Sequence, residues 1–331
     1  MGDVMRSAIQ FDAPGKVSIV EESLLPLQAG EVLVASEVSA ISSGTELLAY
    51  RGQLPASMVL DETLASLQQN VSYPLRYGYA SVGRVTAYGT AVPASWEGAR
   101  VFAFHPHASH FIATPADLVV LPDTLSFEDA AFLANMETAV SFMMDGRPMI
   151  GERVLIVGLG VVGLLLASLL CRQKDLVVDA VDLDPRRCAR GALVGINKAT
   201  ADSGALEATY DLVYELSGNP AGLNVAIEKT RETGRIVVGS WYGTKPASLD
   251  LGGRFHRAKL NLYASQVSKI DPRHAGRWSK GRRLQLASAL LGVVRPSRYI
   301  THQFSIREAA KAYALLDEKT ADALQVIFSY K

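Results

Sequence analysis

An apolar run from Val154 to Val157 leads directly into Gly158, Gly160 and Gly163, and then into a helical apolar stretch that reaches Leu170. A second apolar run, Leu176 to Val181, stops at Asp182. This succession of strand, Gly-x-Gly-x-x-Gly turn, helix, strand and acid constrains the fold more than any other part of the 331 residues. Each piece has a separate task in holding a dinucleotide. Gly158 permits the tight turn, Gly160 lets a pyrophosphate approach the backbone, and Gly163 lets the helix pack close on the strand. Leu159, Val161 and Val162 complete the turn, where free backbone N–H groups and the positive helix end face the phosphates. Asp182 follows at roughly the 20-residue spacing at which a carboxylate accepts the ribose hydroxyls. That acid favours NAD over NADP, because it repels a 2′-phosphate. Arg187, beside Arg186, supports the opposite reading of a phosphate clamp, so NADP stays open.

The rest of the chain fits an enzyme built around such a unit. Its 33 basic and 33 acidic residues cancel, which leaves no global field to recruit nucleic acid or an acidic membrane. No basic cluster interleaved with aromatics occurs. No apolar run approaches the roughly 18 residues of a membrane span, and the N-terminal MGDVMRSAIQF lacks a signal-peptide core. Cys171 and Cys188 are too few for a disulfide framework and read as reduced hydrophobes. The expectation is a cytoplasmic protein acting on a small molecule.

The first third is β-rich, with short alternating runs such as KVSIVEE, EVLVASEVSAI and ARVFAF. Between them, DETLASLQQN (Asp61 to Asn70) reads as a helix with Asp61 at its N-cap, either a surface decoration or a lid or wall over a substrate. SFEDAAFLANMETAVSFMMD reads as one helix capped by Ser126. Strands and helices then alternate, through DLVYELSG, the helix PAGLNVAIEKTRETG and RIVVGSWYG, which implies a doubly wound parallel sheet. The tail carries a basic segment, the helix REAAKAYALLDE and a last strand, ADALQVIFSY. The chain is therefore read as α/β: a dinucleotide-binding domain, 127–265, inserted into a β-rich domain formed by 1–126 and 266–331.

Several stretches carry a family resemblance. SSGTELLAYRG (Ser42 to Gly52) resembles a Cys-Gly-Ser/Thr-Asp element, YPLRYGYASVGRV (Tyr73 to Val85) a Gly-His-Glu-x-x-Gly element, and GARVFAF a Gly-Asp-x-Val element. With RAKLNLYAS and the closing helix and strand, they resemble the medium-chain dehydrogenase/reductase superfamily, alcohol dehydrogenase-like enzymes. ISSGTE resembles the branch of bacteriochlorophyllide dehydrogenases, which oxidise a hydroxyethyl group. The resemblance implies a Rossmann domain inserted into a GroES-like catalytic domain. It also implies a homodimer joined through the region of RIVVGSWYG and RAKLNLYAS. It places Thr138 against the nicotinamide, with Ser217 and Gly218 of ELSG and Gly239 and Ser240 of VGSWYG around the carboxamide. Trp241 and Tyr242 then fall near the substrate.

The departures matter for mechanism. Where zinc-dependent members hold their ion with Cys, His and Cys or Glu, this chain has Ser43, Tyr79 and Ala134, and Ala80 replaces the neighbouring Glu. These residues make no tetrahedral site, so no metal is expected there. His105, His107 and His110 form an H-x-H-x-x-H pattern, read as two cleft-lining histidines and one exposed, with Pro106 marking a loop. Charge that builds on a substrate oxygen still needs a proton donor. Thr45 stands where the family relays the alcohol proton, Tyr79 is its expected partner, and His105 and His107 are further candidates. Tyr77 is one more donor expected nearby. Glu46 reads as a buried anchor. The activity expected is zinc-independent hydride transfer between NAD(P) and a secondary alcohol or carbonyl of a small, bulky or aromatic substrate. The alternatives are reduction of an activated C=C or C=N bond, and nucleotide binding without catalysis.

Overall fold

A computed structural model describes residues 4–56, 58–60, 65–207, 209–318 and 322–330. The chain forms two compact units, 1–134 with 291–331 and 135–290.

The first unit begins with a two-stranded antiparallel ribbon, β1 (Met5–Ala13) and β2 (Lys16–Ser23). It continues with β3 (Val32–Ala40), helix α1 (Ser43–Tyr50), β4 (Ser81–Tyr88), β5 (Arg100–Ala103), β6 (His110–Ala113) and β7 (Leu118–Val120). Helix α2 (Phe127–Ala130) follows. The core of its sheet is Val32, Val34, Val85, Val101 and Phe111, which alternate inward as period-2 strands require.

The second unit is wound from α3 (Leu133–Gly146), β8 (Arg153–Val157), α4 (Val161–Leu170), β9 (Val177–Val181), α5 (Pro185–Leu193) and β10 (Lys198–Thr200). It is completed by β11 (Tyr210–Glu215), α6 (Pro220–Lys229), β12 (Thr230–Val238), β13 (Asn261–Ala264) and α7 (Lys280–Val294). Its six strands are all parallel, in the order β10-β9-β8-β11-β12-β13. The direction of winding reverses between β8 and β11, so the strand ends beside the Gly-rich turn form the switch point where such sheets bind ligands. The expected doubly wound sheet and separate β-rich sheet are both present. The chain then returns to the first unit with β14 (Ile300–Ser305), α8 (Ala309–Glu318) and β15 (Gln325–Ser329). β15 lies between β14 and β3, pairing Ile327 with Ala40, so the tail completes the sheet that the N-terminal third began.

Several elements differ from the sequence reading. The segment read as one helix from Ser126 is two, α2 and α3, although Ser126 does cap the first by accepting from Asp129 N. Around α2, Arg84 and Arg100 stack over the Phe127 ring and Asp129 accepts from Ser297 N, which ties this stretch to the first unit. The unit boundary accordingly falls at 134/135, against 126/127 expected. The second falls at 290/291, against 265/266, because Arg283 is buried in the second unit among Glu137, Ser141 and the Val267 and Lys269 carbonyls. Helix α7 was hidden in what read as a basic segment. The helix from Pro220 stops at Lys229, and TRETG runs on as strand β12. Of DETLASLQQN, residues 61–64 lie outside the described residues, and Ala65–Leu67 is a single 3₁₀ turn. Among the described residues no helix is long and apolar enough to cross a membrane, and both cysteines are free.

Candidate active site

In the second unit the Gly-rich turn has the shape its spacing implies. Gly158 has φ +103°, and a Cβ there would meet Ser217 N and Leu216 C at 2.7 Å. A Cβ on Gly163 would run into the Gly158 carbonyl oxygen, so only glycine lets α4 sit this close to β8. Gly160, the N-cap of α4, has open space on its Cβ side and caps the helix with no side chain. The first turn of α4, with Val161 and Val162, therefore keeps backbone N–H groups for an anion. Asp182 Oδ2 accepts from Leu159 N at 2.7 Å and Oδ1 from Asp184 N at 2.9 Å. The acid thus braces the turn, a contact its position in sequence did not announce. Carboxylate oxygens retain further lone pairs for a ribose. Arg187 lies 3.8 Å from Asp182, while Arg186 is taken up by Asp184 at 2.8 Å.

Two loops at the ends of β11 and β12 are joined by Glu215, a buried carboxylate absent from the sequence reading. Its Oε1 accepts from Ser217 N and Oγ at 2.9 and 2.5 Å, and its Oε2 from Tyr242 Oη at 2.6 Å. Its backbone carbonyl accepts from the N–H groups of Gly239 and Ser240. Gly218 N donates to Ser240 Oγ at 2.8 Å. Ser217, Gly218, Gly239 and Ser240 are thereby brought together as expected residues of one loop pair. Tyr242, expected near the substrate, is held by Glu215 and packs on the unit's core. Trp241 is half-buried, as is Thr138 on α3.

In the first unit, Ser42 precedes α1 and Thr45 lies in its first turn. Tyr79 Oη is within hydrogen-bond distance of Ser42 Oγ and lies 3.2 Å from Thr45 Oγ1. A phenol has one proton, so it donates to one hydroxyl and accepts from the other. Tyr77 packs edge-on against Tyr79, with ring centres 6.2 Å apart. The expected pair Thr45 and Tyr79 is therefore a trio, and Ser42 is the member missed. Its signal was its place in ISSGTE, directly before the helix that carries Thr45.

Behind the trio runs a buried polar chain. Glu46 accepts from Ser42 N at 2.7 Å, from Tyr313 Oη at 2.6 Å and from His107 Nε2 at 2.9 Å. His107 Nδ1 lies 2.7 Å from Ser39 Oγ, and Ser39 Oγ 2.7 Å from Tyr330 Oη. Nε2–H donates to the carboxylate, and Nδ1, Ser39 Oγ and Tyr330 Oη carry the chain onward. Both His107 nitrogens are thus engaged, and the ring packs against Gly78, where a Cβ would meet it at 2.7 Å. His105 lines a cavity that His107 also borders, and it donates from Nδ1 to Pro106 O at 2.8 Å. Burial lowers its pKa to about 4. His110 is half-buried at the start of β6 rather than exposed. Ser43 and Ala134 complete the positions at which zinc-dependent enzymes carry ligands. Their side chains offer an alcohol and a methyl, which together with the engaged Tyr79 hydroxyl do not suit zinc.

No family model matches the chain. An uncharacterised zinc-type alcohol dehydrogenase-like protein of Escherichia coli K12 is 27% identical over 231 residues, 63% of this chain and 60% of that protein's length. The 2-desacetyl-2-hydroxyethyl bacteriochlorophyllide A dehydrogenase of Cereibacter sphaeroides is 26% identical over 342 residues, 98% of each chain. A crystal structure described as a short-chain alcohol dehydrogenase of E. coli CFT073 with the cofactor NADH has the same fold, with a TM-score of 0.77 at 18% identity. It covers 99% of this chain and 100% of that one. With this fold, a Gly-rich turn at its switch point and full-length similarity to a dehydrogenase, the chain is an NAD(P)-dependent oxidoreductase similar to the medium-chain dehydrogenases/reductases.

Proposed function

We propose that the enzyme transfers a hydride between NAD(P) and a secondary alcohol or ketone without a catalytic metal. The hydroxyl trio of Ser42, Thr45 and Tyr79, where zinc-type members would hold their ion, carries this reading. The dinucleotide fits the second unit, since Gly158 and Gly163 tolerate no side chain and Asp182 stands at the turn. When bound, it supplies or takes up the hydride. Asp182 favours NAD, and Arg187 keeps NADP within reach.

During ketone reduction the substrate oxygen gains charge, and Thr45 donates its proton to it. Tyr79 replaces that proton, Ser42 replaces the one lost by Tyr79, and the half-buried Ser42 recovers its own from water. Alcohol oxidation runs the same relay backwards. Glu46 and His107 do not touch the reacting atoms in this scheme. They hold Ser42 N and the start of α1, which fixes the spacing of the hydroxyls. The full-length similarity to the bacteriochlorophyllide enzyme puts a hydroxyethyl group on a planar substrate first among candidates. On this reading two copies of the chain join through β13, the edge strand of the parallel sheet.

The test is turnover on a panel of secondary alcohols and ketones by metal-stripped protein, with cofactor affinity measured separately from NADH and NADPH fluorescence. Thr45→Val and Tyr79→Phe are expected to lower turnover by roughly 10²–10⁴-fold with cofactor affinity kept, the usual worth of a positioned proton donor. Wild-type turnover in Thr45→Val refutes the relay. Activity lost on stripping and restored by zinc refutes the metal-free scheme, and activity confined to activated C=C or C=N bonds assigns the enzyme to their reduction.

A further inference from the structure

The first unit holds a cavity of about 230 Å³ lined by Arg6, Ser66, Gln69, Arg76 and His105. Arg6 and Glu22 face each other across β1 and β2, with Arg6 Nε 2.6 Å from Glu22 Oε1. Such a cross-strand pair needs no third member. Arg76 is nevertheless brought in from the loop before β4, and its Nη1 and Nη2 donate to Glu22 Oε1 and Oε2 at 2.6 and 2.7 Å. Two guanidiniums therefore share one carboxylate, and the triad keeps a net positive charge beside the cavity. The Arg76 hydrogen bonds hold Glu22 down to about 2, so the carboxylate stays ionised and the balance does not change near neutral pH. Each guanidinium carries five N–H donors, and one carboxylate can engage only part of them.

His105 adds a feature of the opposite kind. Its Nδ1 faces the Pro106 carbonyl oxygen, which can only accept, so Nδ1 carries the ring proton. Nε2 is then a bare acceptor, and it has no hydrogen-bond partner among the described residues. The ring is held by stacking on Phe111, 4.2 Å between centres and 15° apart. Burial, with Arg6, His107 and Arg76 nearby, keeps it neutral. The lining thus combines surplus cationic donors with neutral acceptors, His105 Nε2 among them. A bare anion satisfies only the first, and a neutral alcohol only the second.

We propose that this cavity is a binding site for a small oxyanion that also carries a hydroxyl group. Arg6 and Arg76 take the oxyanion, and His105 Nε2 accepts from the hydroxyl. A phosphate monoanion and a 2-hydroxycarboxylate share this chemistry. The cavity is smaller than the roughly 300–1,000 Å³ of drug-sized sites, which restricts the ligand to a few heavy atoms beyond the charged group. The proposal does not depend on the hydride-transfer reading.

Titration calorimetry of the full-length protein at low salt tests it, with inorganic phosphate, glycerol phosphate and glycolate as probes. One saturable site is expected, filled by phosphate species or by glycolate, and the tighter of the two names the ligand class. Arg76→Gln and Arg6→Gln are each expected to weaken binding by about tenfold or more, as loss of a charged hydrogen bond does. Thermal melts confirm that each variant is folded, and Arg76→Lys, which keeps the charge but not the planar fork, serves if Arg76→Gln is not. Wild-type protein that binds none of the three probes saturably overturns the proposal, as does saturation unchanged in both arginine variants. NADH affinity, measured alongside, is expected to stay constant throughout, and its loss in wild type counts only against the dinucleotide site.

Discussion

His105 and His107 stand two positions apart in one loop, and their surroundings give them different chemistry. Both line the same cavity, but His107 is buried with a partner on each nitrogen, whereas His105 donates to a single carbonyl. Burial lowers the His105 pKa to about 4, below the usual 6.5. An unfolded chain therefore takes up a proton at this residue as pH falls through 6.5, while the folded chain does not until about 4. Stability from this residue is complete above pH 6.5 and is lost between 6.5 and 4. The melting temperature is expected to fall across that window, and His105→Gln to flatten the fall. An unchanged slope in the variant would remove His105 as its origin. The nearness of Thr45 to Tyr79, and of Asp182 to the Gly-rich turn, was legible because each occupies a fixed place in a motif. Tyr313 was not, since it reaches Glu46 across 267 positions and no local pattern records such a contact. Ser39 and Tyr330 were hidden for the same reason.

At the scale of elements, the strand–turn–helix around Gly158 was the most legible, because close backbone approach leaves only one residue type available. Gly163→Ala is expected to push α4 away from the Gly158 carbonyl, displacing the backbone N–H groups at the start of α4. NADH affinity should drop about tenfold or more with turnover chemistry otherwise intact, given the weight of helix N-termini in phosphate binding. Fluorescence titration reads this, and wild-type affinity in the variant would show that the close contact is not needed. Helix α7 was illegible for an equally physical reason. Its opening Lys280, Arg282 and Arg283 look like a solvated face, yet Arg283 is buried by Glu137 and three oxygens from Ser141, Lys269 and Val267. Burial of a cation depends on partners that lie 14 to 146 positions away. The break between α2 and α3 likewise follows from what α2 packs on, not from its own composition.

For the whole molecule, the nested order of units was visible as a change of pattern near Ser126, but its edges were not. They lie within α3 and α7, helices whose sequence runs on without a linker. The unit formed by both ends of the chain rests on β15, a central strand with neighbours on both sides. Ile327→Pro removes a backbone donor from that strand and is expected to cost about 3 kcal/mol or more. Urea unfolding measures the loss, and hydrogen exchange should show it in β3 and β14 while β8 and β11 keep their protection. Equal loss in both units would mean that they unfold as one. The placement of β15 also sets an order of events on the ribosome. Every strand of the parallel sheet has left the tunnel well before residues 325–329 are made, while β3 must wait for them. The unit with the parallel sheet is thus free to fold before then, and the unit with the hydroxyl trio is completed only once residues 325–329 emerge, exposing β3 to other chains in the meantime.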